Sequence, residues 1–78
     1  MKLIIYSPEK TVFDGEVEMV ELPGGKGRFQ VLKNHDSLIS TLVAGIIRYR
    51  INDEEFQQAI QSGYVEVHNN QIFACVHL

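Results

Sequence analysis

The sequence contains no tryptophan, a single cysteine (Cys75), two prolines and no apolar run near the roughly 20 residues that span a bilayer. Each shortage excludes something. One cysteine cannot form an internal disulfide, which fits a reducing compartment and leaves 78 residues to fold on a packed core alone. That length is near the lower limit for such a fold, since only about 60% of the chain's surface is buried at this size. A partner would help. Basic residues are also in deficit, seven Lys and Arg against ten Asp and Glu, and the net charge of -3 argues against nucleic acid, whose phosphates need a basic surface. Met1 to Tyr6 offers only Lys2 before four apolar residues and then Ser7-Pro8, so a signal-peptide core is not expected. The expectation is a soluble protein that meets a membrane only through a partner.

Hydrophobic residues at 45% and charged residues at 22% are the balance of a globular domain. Their arrangement is that of strands. Leu3 to Tyr6 and Thr11 to Phe13 read as two strands joined by a tight turn at Ser7-Pro8-Glu9-Lys10. From Gly15 to Leu22 the period of two puts Val17 and Met19 on one face and Val20 and Leu22 on the other, which predicts a strand that changes face or is buried on both sides. Pro23 to Gly27 predicts a sharp turn, with Gly24, Gly25 and Gly27 free to take positive φ. Arg28 to Leu32 alternates again, with Phe29 and Val31 facing inward, and Lys33 to Ser37 forms a polar loop before Leu38, Ile39 and Leu42 resume the pattern.

After a turn at Gly45, Ile46 to Ile51 is a strand with Arg48 and Arg50 on its wet face. Asn52-Asp53 is a hairpin turn, and Phe56 to Ile60 is assigned as the returning strand, burying Phe56, Ala59 and Ile60, although Glu, Gln and Ala are better helix formers. Ser62-Gly63 predicts a turn, Tyr64 to Val67 a strand, Asn69-Asn70 a two-residue hairpin loop and Ile72 to Val76 the last strand. The chain is therefore expected to be all-β, a small β-sandwich of roughly eight to ten short, mostly antiparallel strands. Its expected core includes Leu3, Ile5, Val17, Phe29, Val31, Leu38, Val65, Val67 and Ile72.

No catalytic constellation emerges. His35, His68 and His77 lack the spacing of a metal site and read as surface residues. Cys75, in an apolar strand without a cationic neighbour, reads as buried and inert. Ser37, Ser40 and Ser62 have no nucleophile-elbow context, and Gly24-Gly25-Lys26-Gly27 runs into a strand where a phosphate loop would open a helix. Glu16, Glu18 and Glu21 form a solvated strand face. No metal or other cofactor is called for. The polar, turn-forming residues concentrated between Leu22 and Ser40 suggest loops held out on a rigid sheet, hence an interaction module. An alternative, a stand-alone small-ligand or carbohydrate-binding sandwich, needs an aromatic platform that a chain without tryptophan supplies poorly.

The run Gly27-Arg28-Phe29-Gln30-Val31-Leu32-Lys33-Asn34-His35-Asp36-Ser37-Leu38-Ile39 resembles the glycine-to-histidine signature of the epsilon subunit of F-type ATP synthases, in its amino-terminal β-sandwich domain. Ser7-Pro8-Glu9, Phe13-Asp14-Gly15-Glu16-Val17, Gly45-Ile46-Ile47-Arg48-Tyr49 and Ser62-Gly63-Tyr64-Val65-Glu66-Val67 extend the resemblance over nearly the whole chain. The resemblance implies a non-catalytic rotor subunit of the central stalk at the cytoplasmic face of the inner (cell) membrane, coupling proton or sodium flow through the c-ring to ATP synthesis. It implies that Gly24, Gly25, Lys26, Gly27 and Arg28 face the c-ring, and that Ser7, His35 and Ser40 face the gamma subunit. It further implies a short form, with one domain over residues 1–78 and without the carboxy-terminal helical hairpin. The sequence departs from the family pattern at Arg28, where a glutamate is usual, at Lys33-Asn34, where Pro-Gly is usual, and at Gln30 and Tyr64, where glycine is usual.

Overall fold

Alternating apolar positions, cut by turn residues, produce nine strands in the computed structural model, which describes residues 1–78. They are β1 (Lys2–Tyr6), β2 (Thr11–Glu16), β3 (Met19–Gly24), β4 (Gly27–Val31), β5 (Leu38–Leu42), β6 (Gly45–Ile51), β7 (Glu54–Ile60), β8 (Ser62–His68) and β9 (Gln71–His77). There is no helix, so Glu54 to Ile60 is a strand despite its helix-forming composition. Pairing along β6, from Gly45↔Ile60 to Ile51↔Glu54, outweighs intrinsic propensity there.

Two hairpins turn on residues that accept left-handed backbone. Asn52 and Asp53 have φ of 51° and 65°, and Asn69 and Asn70 have 50° and 59°, the signs required for the two-residue turn that matches strand twist. The β1–β2 turn closes with Ser7 N–H on the Lys10 carbonyl at 2.8 Å and the return bond at 3.3 Å.

The strand order is β2-β1-β9-β8-β5-β3-β6-β7, with β4 on the other side of β3. All pairs are antiparallel except β1 with β9. β5 meets β3 only at Gly24↔Leu42, and there the sheet curls into two layers, β2-β1-β9-β8-β5 and β4-β3-β6-β7. Three short bends and one longer loop carry the chain between the layers: Val17-Glu18 from β2 to β3, Val43-Ala44 from β5 to β6, Gln61 from β7 to β8, and residues 32–37 from β4 to β5. Strands that switch sheets at a bend make the corners of such a sandwich. The bends are held by backbone bonds, Glu18 N–H to the Arg50 carbonyl, Val43 N–H to Pro23 and Gln61 N–H to His77.

Leu3, Ile5, Val17, Val31, Val65, Val67 and Ile72 are buried between the layers, as alternation predicts. Phe29 and Leu38 are only half-buried against that core, because β4 is an edge strand and Leu38 opens β5 beside the polar loop. Val20, Leu22, Leu42, Ile47, Tyr49, Ile60, Ala74 and Val76 complete the interior. Phe13 reaches Tyr49 across the layers with ring centroids 4.4 Å apart, and Phe56 stacks on Tyr49 at 5.5 Å.

Several local expectations are corrected. Pro23 and Gly24 are the last residues of β3, so only Gly25-Lys26 turns, and of the three glycines only Gly27 has positive φ, at 123°. Ser62 and Gly63 open β8, because the bend before them needs Gln61 alone. Phe56 is exposed because β7 is the sheet's edge and only Tyr49 flanks its ring, and Ala59 because its parity is opposite to that of the buried Ile60. Cys75 is half-exposed, because its parity on β9 is opposite to that of the buried Ala74 and Val76.

Candidate functional site

Three surface features are built by this fold. The first is the β3–β4 tip. Gly24 pairs with Gly27, leaving Gly25-Lys26 projecting, and Gly25 N–H donates to the Thr41 carbonyl at 3.0 Å. A Cβ on Gly25 would lie 2.6 Å from Thr41 Oγ1, so the tip is seated closely on β5. Lys26 stands exposed at its end.

Arg28 does not extend with the tip. Its side chain folds back along the outer face of the second layer, where Nε and Nη2 donate to Glu21 Oε1 at 3.0 and 2.8 Å and Nη2 also donates to the Ile46 carbonyl at 2.8 Å. Arg48 donates to the same carboxylate oxygen at 3.1 Å. The Arg28 guanidinium beside it, and behind that the Arg48 guanidinium, hold the Glu21 carboxyl below the usual carboxylate range. A carboxyl with a lowered folded-state pKa adds stability that is complete above its unfolded pKa and is lost as pH falls through the folded one. Urea midpoints followed down an acid series are therefore expected to fall less steeply for Glu21→Gln than for the native chain. Parallel curves would show that the ion pairs add nothing.

The second feature is the polar loop from Leu32 to Ser37. It packs against the β8–β9 hairpin around an open depression of about 290 Å³ lined by Asn34, His35, Asp36, Ser37, Asn69 and Asn70. His35 is exposed, and its Nδ1 donates to the Asp36 carbonyl at 2.7 Å.

The third is the outer face of the first layer, where the residues opposite in parity to the core come together. Ile39 pairs with Glu66, Glu66 with Phe73 and Phe73 with Ile4, while Thr41, Tyr64, Cys75 and Tyr6 form the next row. Ile39 is 76% exposed and Tyr64 51%. Burial, and after it the neighbouring Tyr64 phenol, pushes the Tyr6 hydroxyl up.

The residues expected to face a partner do not form one cluster. Ser7 is buried in the β1–β2 turn, its hydroxyl donating to the Lys10 carbonyl at 3.4 Å. Ser40 shares the inner parity of Leu38 and Leu42, lies opposite Val65, and donates to the Thr41 carbonyl at 2.9 Å. The register places the Ser7 turn and the root of the tip at the Leu42 end of the first layer and His35 beyond the Leu38 end. Along β5 those ends are about 13 Å apart at 3.3 Å per residue. Ile39 and Tyr64 were not singled out from sequence as surface contacts. The available signal was parity, since Ile39 is opposite in phase to Leu38 and Leu42.

Residues 1–76 match the model of the ATP synthase delta/epsilon chain β-sandwich domain. The chain belongs to this family. It is 43% identical to the ATP synthase epsilon chain of Desulfitobacterium hafniense over 90% of its own length and 53% of the relative's. Identity to the epsilon chain of Helicobacter pylori is 39%, over 92% and 58%. The chain thus spans just over half the length of the curated relatives it matches. Among solved structures the fold recurs in a chain of the Euglena gracilis mitochondrial ATP synthase, with a TM-score of 0.88, 18% identity and coverage of 95% of this chain and 48% of that one. It recurs also in the Tetrahymena thermophila mitochondrial enzyme, with a TM-score of 0.81, 16% identity and coverage of 99% and 63%. In this delta/epsilon sandwich the tip, the His35 loop and the Ile39–Tyr64 face are among the parts that project or remain uncovered.

Proposed function

We propose that this chain is the β-sandwich of a non-catalytic central-stalk subunit of an F-type ATP synthase, linking rotation of the c-ring to ATP synthesis through contact with the ring and the gamma subunit. Family membership over residues 1–76 carries the assignment. The fold's neighbours support it, since one belongs to an OSCP/F1/c-ring assembly and the other to a central stalk/c-ring assembly. In this assignment the chain contributes no catalytic group and no cofactor. It is held at the cytoplasmic face of the inner membrane only through the complex, with no nucleic acid among its partners.

The end of the β3–β4 hairpin, Gly24 to Arg28, is the element proposed to face the c-ring, with Lys26 as its outermost charge and the Arg28 side chain folded back on Glu21. His35 and the Ile39–Tyr64 face are proposed to meet the gamma subunit. Ser7, buried in the β1–β2 turn, and Ser40, on the inner parity of β5, lie off that face and are proposed as supports of the layer that carries it, their hydroxyls being turned to backbone carbonyls. An exposed isoleucine beside tyrosine and phenylalanine is surface that a protein partner gains by covering.

Binding of purified variants to the gamma subunit and to assembled c-ring from the same organism tests these roles. Ile39→Lys is expected to weaken gamma binding by about tenfold or more with little loss of stability, because it desolvates a charge in the interface, touches no core residue and lies opposite Glu66. His35→Ala should weaken gamma binding less, as a contact at the rim would. Lys26→Glu is expected to weaken ring association alone, and it is the cleaner charge reversal because Arg28→Glu would also face Glu21 with a like charge. Wild-type binding of all three variants to both partners would overturn the placement of the surfaces. Failure of the native chain to bind either partner would overturn the function.

A further inference from the structure

The loop from Leu32 to Ser37 is exposed throughout and carries no strand or helix, yet a second element dictates its path. The Asn34 backbone N–H donates to Asn70 Oδ1 at 2.6 Å, and Asn70 Nδ2 donates in return to Asn34 Oδ1 at 3.0 Å. Both asparagines hold left-handed backbone, with φ of 68° and 59°. Asn70 is itself anchored, because its carbonyl accepts from the Lys2 N–H at 3.0 Å, tying the hairpin to β1. Beside this clasp, Asn69 Nδ2 lies 3.1 Å from His68 Nε2 and Ser37 Oγ 3.2 Å from His68 Nδ1. An amide nitrogen can only donate, so His68 Nε2 accepts and Nδ1 carries the proton towards Ser37. Inside the loop the bonds that remain are His35 N–H to the Leu32 carbonyl at 3.1 Å and the His35 Nδ1 bond to Asp36.

The depression between loop and hairpin has no apolar lining, so hydrophobic burial does not hold the two together. Hydrogen bonds have to do so, and the two at Asn34 are the ones nearest His35. We propose that Asn70 is the positioning residue of the His35 loop: its side-chain amide, acting on both the backbone and the side chain of Asn34, sets the loop conformation in which His35 is presented. Taking the docking role of this loop as given above, Asn70 controls affinity for the gamma subunit without being required to touch it. The device is suited to that end because a loop ordered beforehand loses less conformational freedom on binding.

Solvent exchange of the Asn34 amide, followed by NMR, tests the contact on the intact chain. Asn70→Gly keeps the left-handed backbone accessible and removes both hydrogen bonds. Asn70→Asp retains an acceptor for the Asn34 N–H and removes only the return donor. In Asn70→Gly the Asn34 amide is expected to exchange on the order of tenfold faster than in the native chain, a single hydrogen bond's net effect. The amides of β3 and β6 should remain unchanged, and Asn70→Asp should restore most of the protection. A merely structural role for Asn70 would speed the β3 and β6 amides in parallel. That result, or an Asn34 rate in Asn70→Gly within twofold of native, overturns the proposal. Calorimetric titration of the same variants with the gamma subunit reads the consequence: a several-fold loss for Asn70→Gly with recovery in Asn70→Asp is expected. Accelerated Asn34 exchange with unchanged affinity would leave the positioning role intact and overturn the docking role of the loop instead.

Discussion

Leu22→Ala is expected to remove about 2–5 kcal/mol of folding stability, the range for deleting a buried leucine side chain. Leu22 is wholly buried in the middle of β3, the strand that pairs with β4, β5 and β6 and so joins the two layers. Truncation there removes contacts from both layers at once, and the surrounding strands are tied by register and cannot close over the space. Small domains hold only about 5–15 kcal/mol in total, so the variant is expected to be partly unfolded under mild conditions. With a urea slope of about 1–3 kcal/mol per M, the midpoint should fall by roughly one molar or more. A loss below about 1 kcal/mol would mean that β3 can shift to fill the cavity. Ile39→Ala is the control, because its side chain is 76% exposed and such surface changes stay within about 0.5 kcal/mol.

Gly63→Ala is expected to be damaging for the opposite reason, since it adds one methyl group where the backbone leaves no room. A Cβ on Gly63 would fall on the carbonyl oxygen of Cys75, with Val76 Cα at 3.1 Å and Val76 Cγ1 at 3.3 Å. Two of these three are backbone atoms of β9, which cannot swing aside as a long side chain can. Gly63 is also hemmed in from the other side, where it pairs with Leu42 of β5. The strand must therefore separate from β9 at its first residues, beside the bend that Gln61 N–H closes on the His77 carbonyl at 2.8 Å. Overpacking of this kind costs about 1–3 kcal/mol and occasionally more. At about 4–8 °C per kcal/mol for a domain of this size, a fall in Tm of roughly 4 °C at the least should be visible by circular dichroism. The Gln61 amide should lose its protection from exchange first. An unchanged Tm would show that β8 and β9 part slightly without consequence.

Much of this molecule is legible in its sequence because much of it is local. Alternation from Ile46 to Ile51 needs no information beyond the segment, and the Asn52-Asp53 and Asn69-Asn70 turns follow from side chains that tolerate positive φ. The single strand expected from Gly15 to Leu22 is instead the end of β2 and most of β3, and its expected change of face is the Val17-Glu18 bend that parts them. The family too is visible in the order of short motifs. Where local rules failed, a neighbouring strand had decided the matter. Gly24 and Gly25 lack side chains because Phe29, the Gly27 carbonyl and Thr41 crowd them, and positive φ has no part in it. Phe56 looks like a core residue by composition and lies on an edge strand by topology.

The surface features were the least legible, for the same reason. Arg28 read alone belongs to the tip, and only the β3–β4 register and the passage of β6 beside β3 put Glu21 and the Ile46 carbonyl within its reach. Asn34 and Asn70 are 36 residues apart, and no spacing rule pairs them. The sequence by itself determined most of the strands and turns and the inward face of the strongly alternating strands, because period two and left-handed backbone are properties of a few consecutive residues. Tertiary structure alone decided which strands lie at an edge, which glycines are crowded, and which polar groups meet across the curl of the sheet, because those are contacts between segments whose distance in space the chain does not state.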